Sequence, residues 1–255
     1  MNRQAWVPER RKEWWIVELL KDFARNDINE YHKFLWSHHM AYARTYEVGL
    51  RFGYENMEAS RKIFFSELED LLIRMKVNAD RDISSVFEAG CSLGYQLRYM
   101  ETDLFPRAKK LRGIDIDGYA IEAGAAYLRK VHSKVDLACA DMEDLESVLG
   151  GRIYDIMVCC GSLMYLDENA AARVVEVMLR HTGIVLALSG LAHPDVDNSM
   201  LEHSTVRGHD KSFIHNIDSM VNRAGGNVLA RRWDGRRLVE GHTIYFVYAS
   251  KSIRI

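Results

Sequence analysis

The sequence predicts an α/β protein: a doubly wound, seven-stranded, mostly parallel sheet that ends in an antiparallel C-terminal hairpin strand, with a helical cap ahead of it. Three observations predict it. From residue 83 onward, short apolar runs alternate with helical segments, and residues 1–80 carry helical periodicity with almost no strand signal. The last two strand-like runs are joined by a polar, glycine-bearing stretch that leaves no room for a helix.

The N-terminal cap is read from spacing. Trp14, Trp15, Val17, Leu19, Leu20 and Phe23 recur at helical intervals, and three or four helices are expected over residues 1–80. The stretch 57–77 repeats Ile63, Phe64, Leu68, Leu71, Leu72 and Met75 as an amphipathic stripe that should pack on the α/β region. The strand runs are ISSVFEAG, LRGIDID, VDLACAD, YDIMVCCG, GIVLALSG, VLARRW and TIYFVYAS, with helices expected at 119–131 and 168–180 as right-handed crossovers. DGRRLVEGH joins the last two runs, so they should pair antiparallel at the end of the sheet. The chain therefore divides at this level into a cap or substrate lid, 1–80, and a ligand-binding α/β domain, 81–255.

Bulk properties narrow the partners. With 48% hydrophobic and 27% charged residues, the chain is apolar enough to fold, and a net charge of -2 gives no field favouring nucleic acid or an anionic membrane. The longest apolar run, 184–192, falls far short of the roughly 20 residues that cross a bilayer. The first residues carry scattered charges rather than a secretory leader. Cys91, Cys139, Cys159 and Cys160 lack CxxC spacing, so neither a disulfide framework nor a zinc site is expected. A cytoplasmic protein with a small-molecule partner is expected, no metal is called for, and a homodimer is left open.

The strongest local signal is VFEAGCSLGYQL at 86–97. An apolar strand runs into Glu88, Gly90, Cys91, Ser92 and Gly94 and then into a helix, and glycines here let backbone approach a ligand. At the end of the second strand, Asp115 in GIDID is placed to bind both hydroxyls of a ribose. The pyrophosphate of NAD would sit over this loop and be repelled by Glu88, and the full GxGxxG spacing is missing. A cationic nucleoside without phosphate suits the acid better.

These motifs, in this order, resemble the class I, Rossmann-like S-adenosylmethionine-dependent methyltransferases, whose first motif is an acid followed by GxGxG. The run here is E-A-G-C-S-L-G, with Ser92 in place of the middle glycine. The resemblance spans about residues 83–255 and implies S-adenosylmethionine as cofactor. It implies that Glu88, Gly90, Cys91, Ser92 and Gly94 form the cofactor loop and that Asp115 holds the ribose, with Ile116 packed on adenine. In CADMEDL, at 139–145, Asp141 would reach the adenine amino group and Met142 its ring face. YDIMVCCGSLMYL, at 154–166, would bring Cys160 and Gly161 to the cofactor. HHMAYARTYE, at 38–47, is similar to the helix that covers the cofactor in many small-molecule members of the family: Tyr46 would approach the methionine part, and His38, His39 and Tyr42 the acceptor.

The acceptor should lie above strands four and five, at the carboxyl ends. Two segments reach there: the turn holding Tyr165, and the long polar connection 193–216 with Arg207. Methyl transfer needs an oriented acceptor and a place for its proton, and a histidine with a pKa of about 6.5 suits the second task. His209, next to Asp210, and His215 are the sequence candidates. The acceptor reads as a small polar metabolite such as a sugar or small acid, methylated on oxygen or nitrogen. The competing functions are an NAD-dependent oxidoreductase and a catalytically silent cofactor-binding or scaffold protein.

Overall fold

The structure is a computed structural model and describes residues 20, 24–40, 57, 59–208, 210–233 and 244–251. Each strand run of the sequence forms a strand: β1 Ser85–Ala89, β2 Lys110–Asp115, β3 Val135–Cys139, β4 Tyr154–Cys160, β5 Thr182–Leu191, then a short hairpin of β6 Thr205–Val206 and β7 Phe213–Ile214, then β8 Gly226–Trp233 and β9 Ile244–Lys251. Seven of them form one sheet in the order β3-β2-β1-β4-β5-β9-β8, with β6 and β7 paired separately. The first five run parallel, and β9 inserts antiparallel between β5 and β8. The pairing of β9 with β8 follows from the short link between them, which returns the chain beside its own predecessor.

Helices among the described residues are α1 Ile28–Ser37, α2 Ala59–Arg74, the single turn α3 Ala79–Asp82, α4 Tyr95–Tyr99, α5 Gly118–Lys130, α6 Leu145–Leu149, α7 Glu168–Arg180 and α8 Ile217–Arg223. Asp27, Asp117 and Asp167 cap α1, α5 and α7 by accepting backbone N–H bonds in the first turn. The run from Trp14 to Phe23 lies outside the described residues except for Leu20. No helix among the described residues is long and apolar enough to cross a membrane.

Burial follows strand position. β1 and β4, at the centre, are buried almost throughout, whereas the edge strands β3 and β8 are half-exposed. Alternate residues feed two cores. Val86, Ile156, Val158 and Val185 face Phe64, Phe65, Leu68, Leu71 and Leu72 of α2. Phe87, Met157, Leu186 and Leu188 face the opposite side, where Val174, Val175 and Met178 pack with Ile217 and Val221. The Tyr248 hydroxyl donates to the Phe64 carbonyl at 2.6 Å and ties α2 to the sheet. The amphipathic stripe at 57–77 is present with one displacement. Phe65 is buried beside Phe64, while Met75 is 38% exposed because the backbone turns left-handed at Lys76 and ends the helix.

Candidate cofactor and acceptor site

The loop after β1 is a tight turn through left-handed backbone. Gly90, Ser92 and Gly94 all have positive φ, and Gly90 and Cys91 both donate to the Ile114 carbonyl, at 2.8 and 2.9 Å, which folds the loop back over β2. A Cβ on Gly90 would lie 2.0 Å from the Ser162 Oγ and 3.4 Å from the Met142 methyl, so β4 and the turn after β3 close on the loop from both sides. Gly94 is crowded too, with Leu137 at 2.9 Å from where a Cβ would stand. Cys91 turns inward against Gly113 and is buried, which pushes its thiol pKa up.

Glu88 sits beneath this loop, fully buried, and neither carboxyl oxygen has a hydrogen-bond partner among the described residues. Burial pushes its carboxyl up to about 8, with the positive charge of Arg61 pulling the other way and Asp115 adding to the rise. An unpartnered buried carboxylate is costly unless a cation comes to it.

The acids at the strand ends are arranged in depth. Asp115 accepts from Ser92 N at 2.8 Å and Asp117 N at 2.9 Å, which binds the glycine loop to the end of β2; burial raises its pKa and those two N–H groups oppose the rise. Asp117 is fully buried, caps α5 and lies 2.6 Å from the His39 Nδ1. Ile116 lies half-buried beside them. Asp141 accepts from Glu143 N and pairs with Lys33 at 2.7 Å.

The end of β4 forms the other wall. Cys160 is buried and its sulfur accepts from the Ser189 hydroxyl. Gly161 has φ +84°, and the Arg61 guanidinium approaches to 3.0 Å of where its side chain would begin. Tyr165 lies on a single 3-10 turn, with Trp36 at 4.8 Å and His32 at 5.1 Å between ring centroids.

α1 lies across this carboxyl edge. Lys33 reaches Asp141 beyond β3, Trp36 packs with Leu93 and Ala120, and His32 lies against Tyr165 beyond β4. Asn29 and Asp167 exchange two hydrogen bonds that fix the helix over α7. The His32 Nε2 is 2.9 Å from the Lys211 carbonyl, in the turn of the β6–β7 hairpin. Sequence reading missed His32, Lys33, Trp36 and Arg61. The i, i+4 pair His32 and Trp36 was the one signal present; the partners of the rest are remote in sequence.

The connection 193–216 folds as a pinned structure rather than an open loop. Asn198, fully buried, donates to the Leu191 and His215 carbonyls and accepts from His193 N. His215 is buried with both ring nitrogens engaged: Nε2 with the Leu163 carbonyl at 3.0 Å, and Nδ1 with the Ser204 hydroxyl at 2.7 Å. A carbonyl can only accept, so Nε2 carries the proton and Nδ1 accepts from Ser204. In this arrangement His215 bridges the turn after β4 to the hairpin and offers no nitrogen to an acceptor. Asp210 is paired bidentately with Arg207; burial alone would raise its pKa, but those bonds and Ser212 N hold it at about 2. It is therefore Arg207, among the described residues, that Asp210 orients. His38 turns back on its own helix, with Nδ1 at 2.9 Å from the Phe34 carbonyl, and the His39 ring lies tilted against Tyr119, 4.2 Å between centroids. Tyr42, Tyr46 and His209 lie outside the described residues. No group of three metal-ligating side chains occurs among the described residues.

Comparison with known proteins agrees with this geometry. A family model for a methyltransferase domain matches residues 86–183, from β1 into β5. Among solved structures, magnesium protoporphyrin IX methyltransferase from Synechocystis PCC 6803, with S-adenosylhomocysteine bound, is similar over 87% of this chain and 100% of that chain, at 12% identity and TM-score 0.63. An S-adenosylmethionine-dependent methyltransferase from Clostridium acetobutylicum ATCC 824 is similar over 82% of this chain and 98% of that one, at 12% identity and TM-score 0.59. The cyclase SpnF shares the fold too, over 73% of this chain and 81% of that one, at 15% identity and TM-score 0.57. The comparison with curated proteins found no match. Residues 86–183 thus match a methyltransferase-domain model, and the seven-stranded sheet with its inserted antiparallel strand is the fold these solved structures share.

Proposed function

We propose that the chain methylates an oxygen or nitrogen of a small polar metabolite, such as a sugar or small acid, with residues 1–80 acting as lid over the domain formed by 81–255. The observation that carries the size of the acceptor is the position of α1. With Lys33 on Asp141 and both His32 and Trp36 on Tyr165, the helix spans the carboxyl edge of the sheet. A polymer would have to displace it.

When bound, S-adenosylmethionine supplies a methyl group on a positively charged sulfur. The chain's own residues supply the holding. Glu88 takes the ammonium, which ends its lack of a partner, and Arg61 beside Gly161 takes a carboxylate. Asp115 holds the ribose with lone pairs not used by Ser92 N and Asp117 N, and Ile116 and Met142 pack on the adenine. The Asp141 carboxylate accepts from the adenine amino group as well as from Lys33. Gly90, Cys91, Ser92 and Gly94 form the floor, and Cys160 and Gly161 the side wall. Tyr165, Arg207 and His39 orient the acceptor at the rim. The four cysteines are free thiols, which suits a cytoplasmic protein.

The test is transfer of radiolabelled methyl from S-adenosylmethionine to a panel of sugars, small acids, phenols and amines, beside a protein and an RNA mixture. Label should enter a small molecule. Label entering only protein or RNA would contradict the proposal, and release of none under conditions where cofactor binds would favour a silent or otherwise repurposed fold.

A further inference from the structure

We propose that His32 is the residue that removes the acceptor's proton, through its Nδ1; this rests on the methyl-transfer reading above. His32 is 3% exposed, and its Nε2 lies 2.9 Å from the Lys211 carbonyl oxygen. That oxygen cannot donate, so Nε2 carries the hydrogen and the neutral ring keeps its lone pair on Nδ1. No hydrogen bond from a described residue reaches Nδ1. The ring stands against Tyr165, whose turn begins at Ser162, the residue that touches Gly90 at the floor of the cofactor loop.

Other histidines near this edge are committed. His215 has both nitrogens bonded, the His39 Nδ1 is held by Asp117, and the His193 Nδ1 accepts two backbone N–H groups. His32 alone among them combines burial, a fixed tautomer and an unclaimed ring nitrogen. Burial keeps its pKa below the ordinary value, with the Lys211 carbonyl and the Asp210 charge opposing. The groups facing it are Tyr31 on its own helix, Tyr165 from the β4 turn, and Lys211 and Asp210 from the hairpin, the last already neutralised by Arg207. The lone pair is therefore present at neutral pH.

The balance is simple. As the acceptor's oxygen or nitrogen bonds to the methyl carbon, the carbon–sulfur bond breaks with its electron pair staying on sulfur, whose charge vanishes. The acceptor's proton passes to Nδ1, and the imidazolium returns it to water.

Two measurements on the full chain test the assignment. Long-range 15N–1H spectra with S-adenosylhomocysteine bound, His32 being assigned by its loss in His32→Gln, should show a neutral ring protonated on Nε2 from pH 6 to 8. A ring protonated on Nδ1, or doubly protonated at pH 7, overturns it. In His32→Gln the amide N–H still serves the Lys211 carbonyl, so S-adenosylhomocysteine affinity should stay within twofold of wild type. Turnover on the acceptor found by the labelled panel should fall by roughly 10² to 10⁴, with loss of the acidic limb of the pH profile. Wild-type turnover in this variant, or loss of S-adenosylhomocysteine binding in the variant alone, overturns the role of His32 and leaves methyl transfer standing, whereas failure of the wild-type protein to bind S-adenosylhomocysteine overturns methyl transfer itself.

Discussion

Glu88→Gln should make the ligand-free protein more stable while weakening its hold on the cofactor. Glu88 is fully buried without a hydrogen-bond partner, and its carboxyl is raised from 4.5 to about 8. A carboxyl raised in the folded state contributes stability that is fully present below 4.5 and is lost as pH rises toward 8. The difference of about 3.5 units, at about 1.4 kcal/mol each, sets a ceiling of roughly 5 kcal/mol at pH 8 and above, and roughly 3 kcal/mol at pH 7. Glutamine does not titrate, so the variant escapes this loss. Urea unfolding of both proteins at pH 5 and pH 8.5 should show near-equal stability at the lower pH and a gap of a few kcal/mol favouring the variant at the higher. Saturating S-adenosylhomocysteine should narrow that gap, because its ammonium gives the wild-type carboxylate its counter-charge. Wild-type affinity should also weaken about tenfold per unit as pH falls below 8, because the carboxyl must lose its proton to bind. Parallel stability profiles for the two proteins, or unchanged affinity in the variant, would refute the reasoning.

The same geometry bears on three other positions. Gly90→Val should abolish cofactor binding, since φ is +74° and a Cβ would stand 2.0 Å from the Ser162 Oγ; retained calorimetric affinity would show that the loop does not form the floor. Asp115→Ala should cost roughly 1.5 to 3 kcal/mol of S-adenosylhomocysteine affinity, and more than Asp141→Ala, because charge-assisted bonds to two hydroxyls are lost; equal or no loss in folded variants would remove the ribose assignment. His215→Ala should lower stability by roughly 2 to 4 kcal/mol by stranding the Leu163 carbonyl and the Ser204 hydroxyl in a cavity, with affinity for S-adenosylhomocysteine little changed. An unchanged Tm would show that the bridge between the β4 turn and the hairpin contributes nothing to stability.

The sheet was legible because its signals are local. Strand runs such as 154–160 are continuous apolar segments bounded by turns, and the acid, glycine and second acid of the cofactor loop lie on consecutive elements. Even the antiparallel end could be read, from the polar link between β8 and β9, though its insertion beside β5 could not, since that depends on which edge is free. The acceptor side was poorly legible for the converse reason. His32 draws its character from Lys211, Lys33 from Asp141, and Arg61 from Gly161, contacts made between segments far apart in the chain. Histidine content in 193–216 drew attention to His215, yet its two nitrogens are spent on Leu163 and Ser204, bonds that no spacing rule reveals. Asp210, by contrast, took its partner locally, from Arg207 three residues before it.

Every role given to the site depends on the loop from Glu88 to Gly94 selecting a phosphate-free, cationic nucleoside. A calorimetric titration of the full chain at pH 8 with S-adenosylhomocysteine and, separately, with NADH tests that selection without needing an acceptor. Saturable binding of S-adenosylhomocysteine at one site per chain is expected, and none of NADH, whose pyrophosphate would meet the buried carboxylate of Glu88. Saturable binding of NADH with no binding of S-adenosylhomocysteine would contradict it.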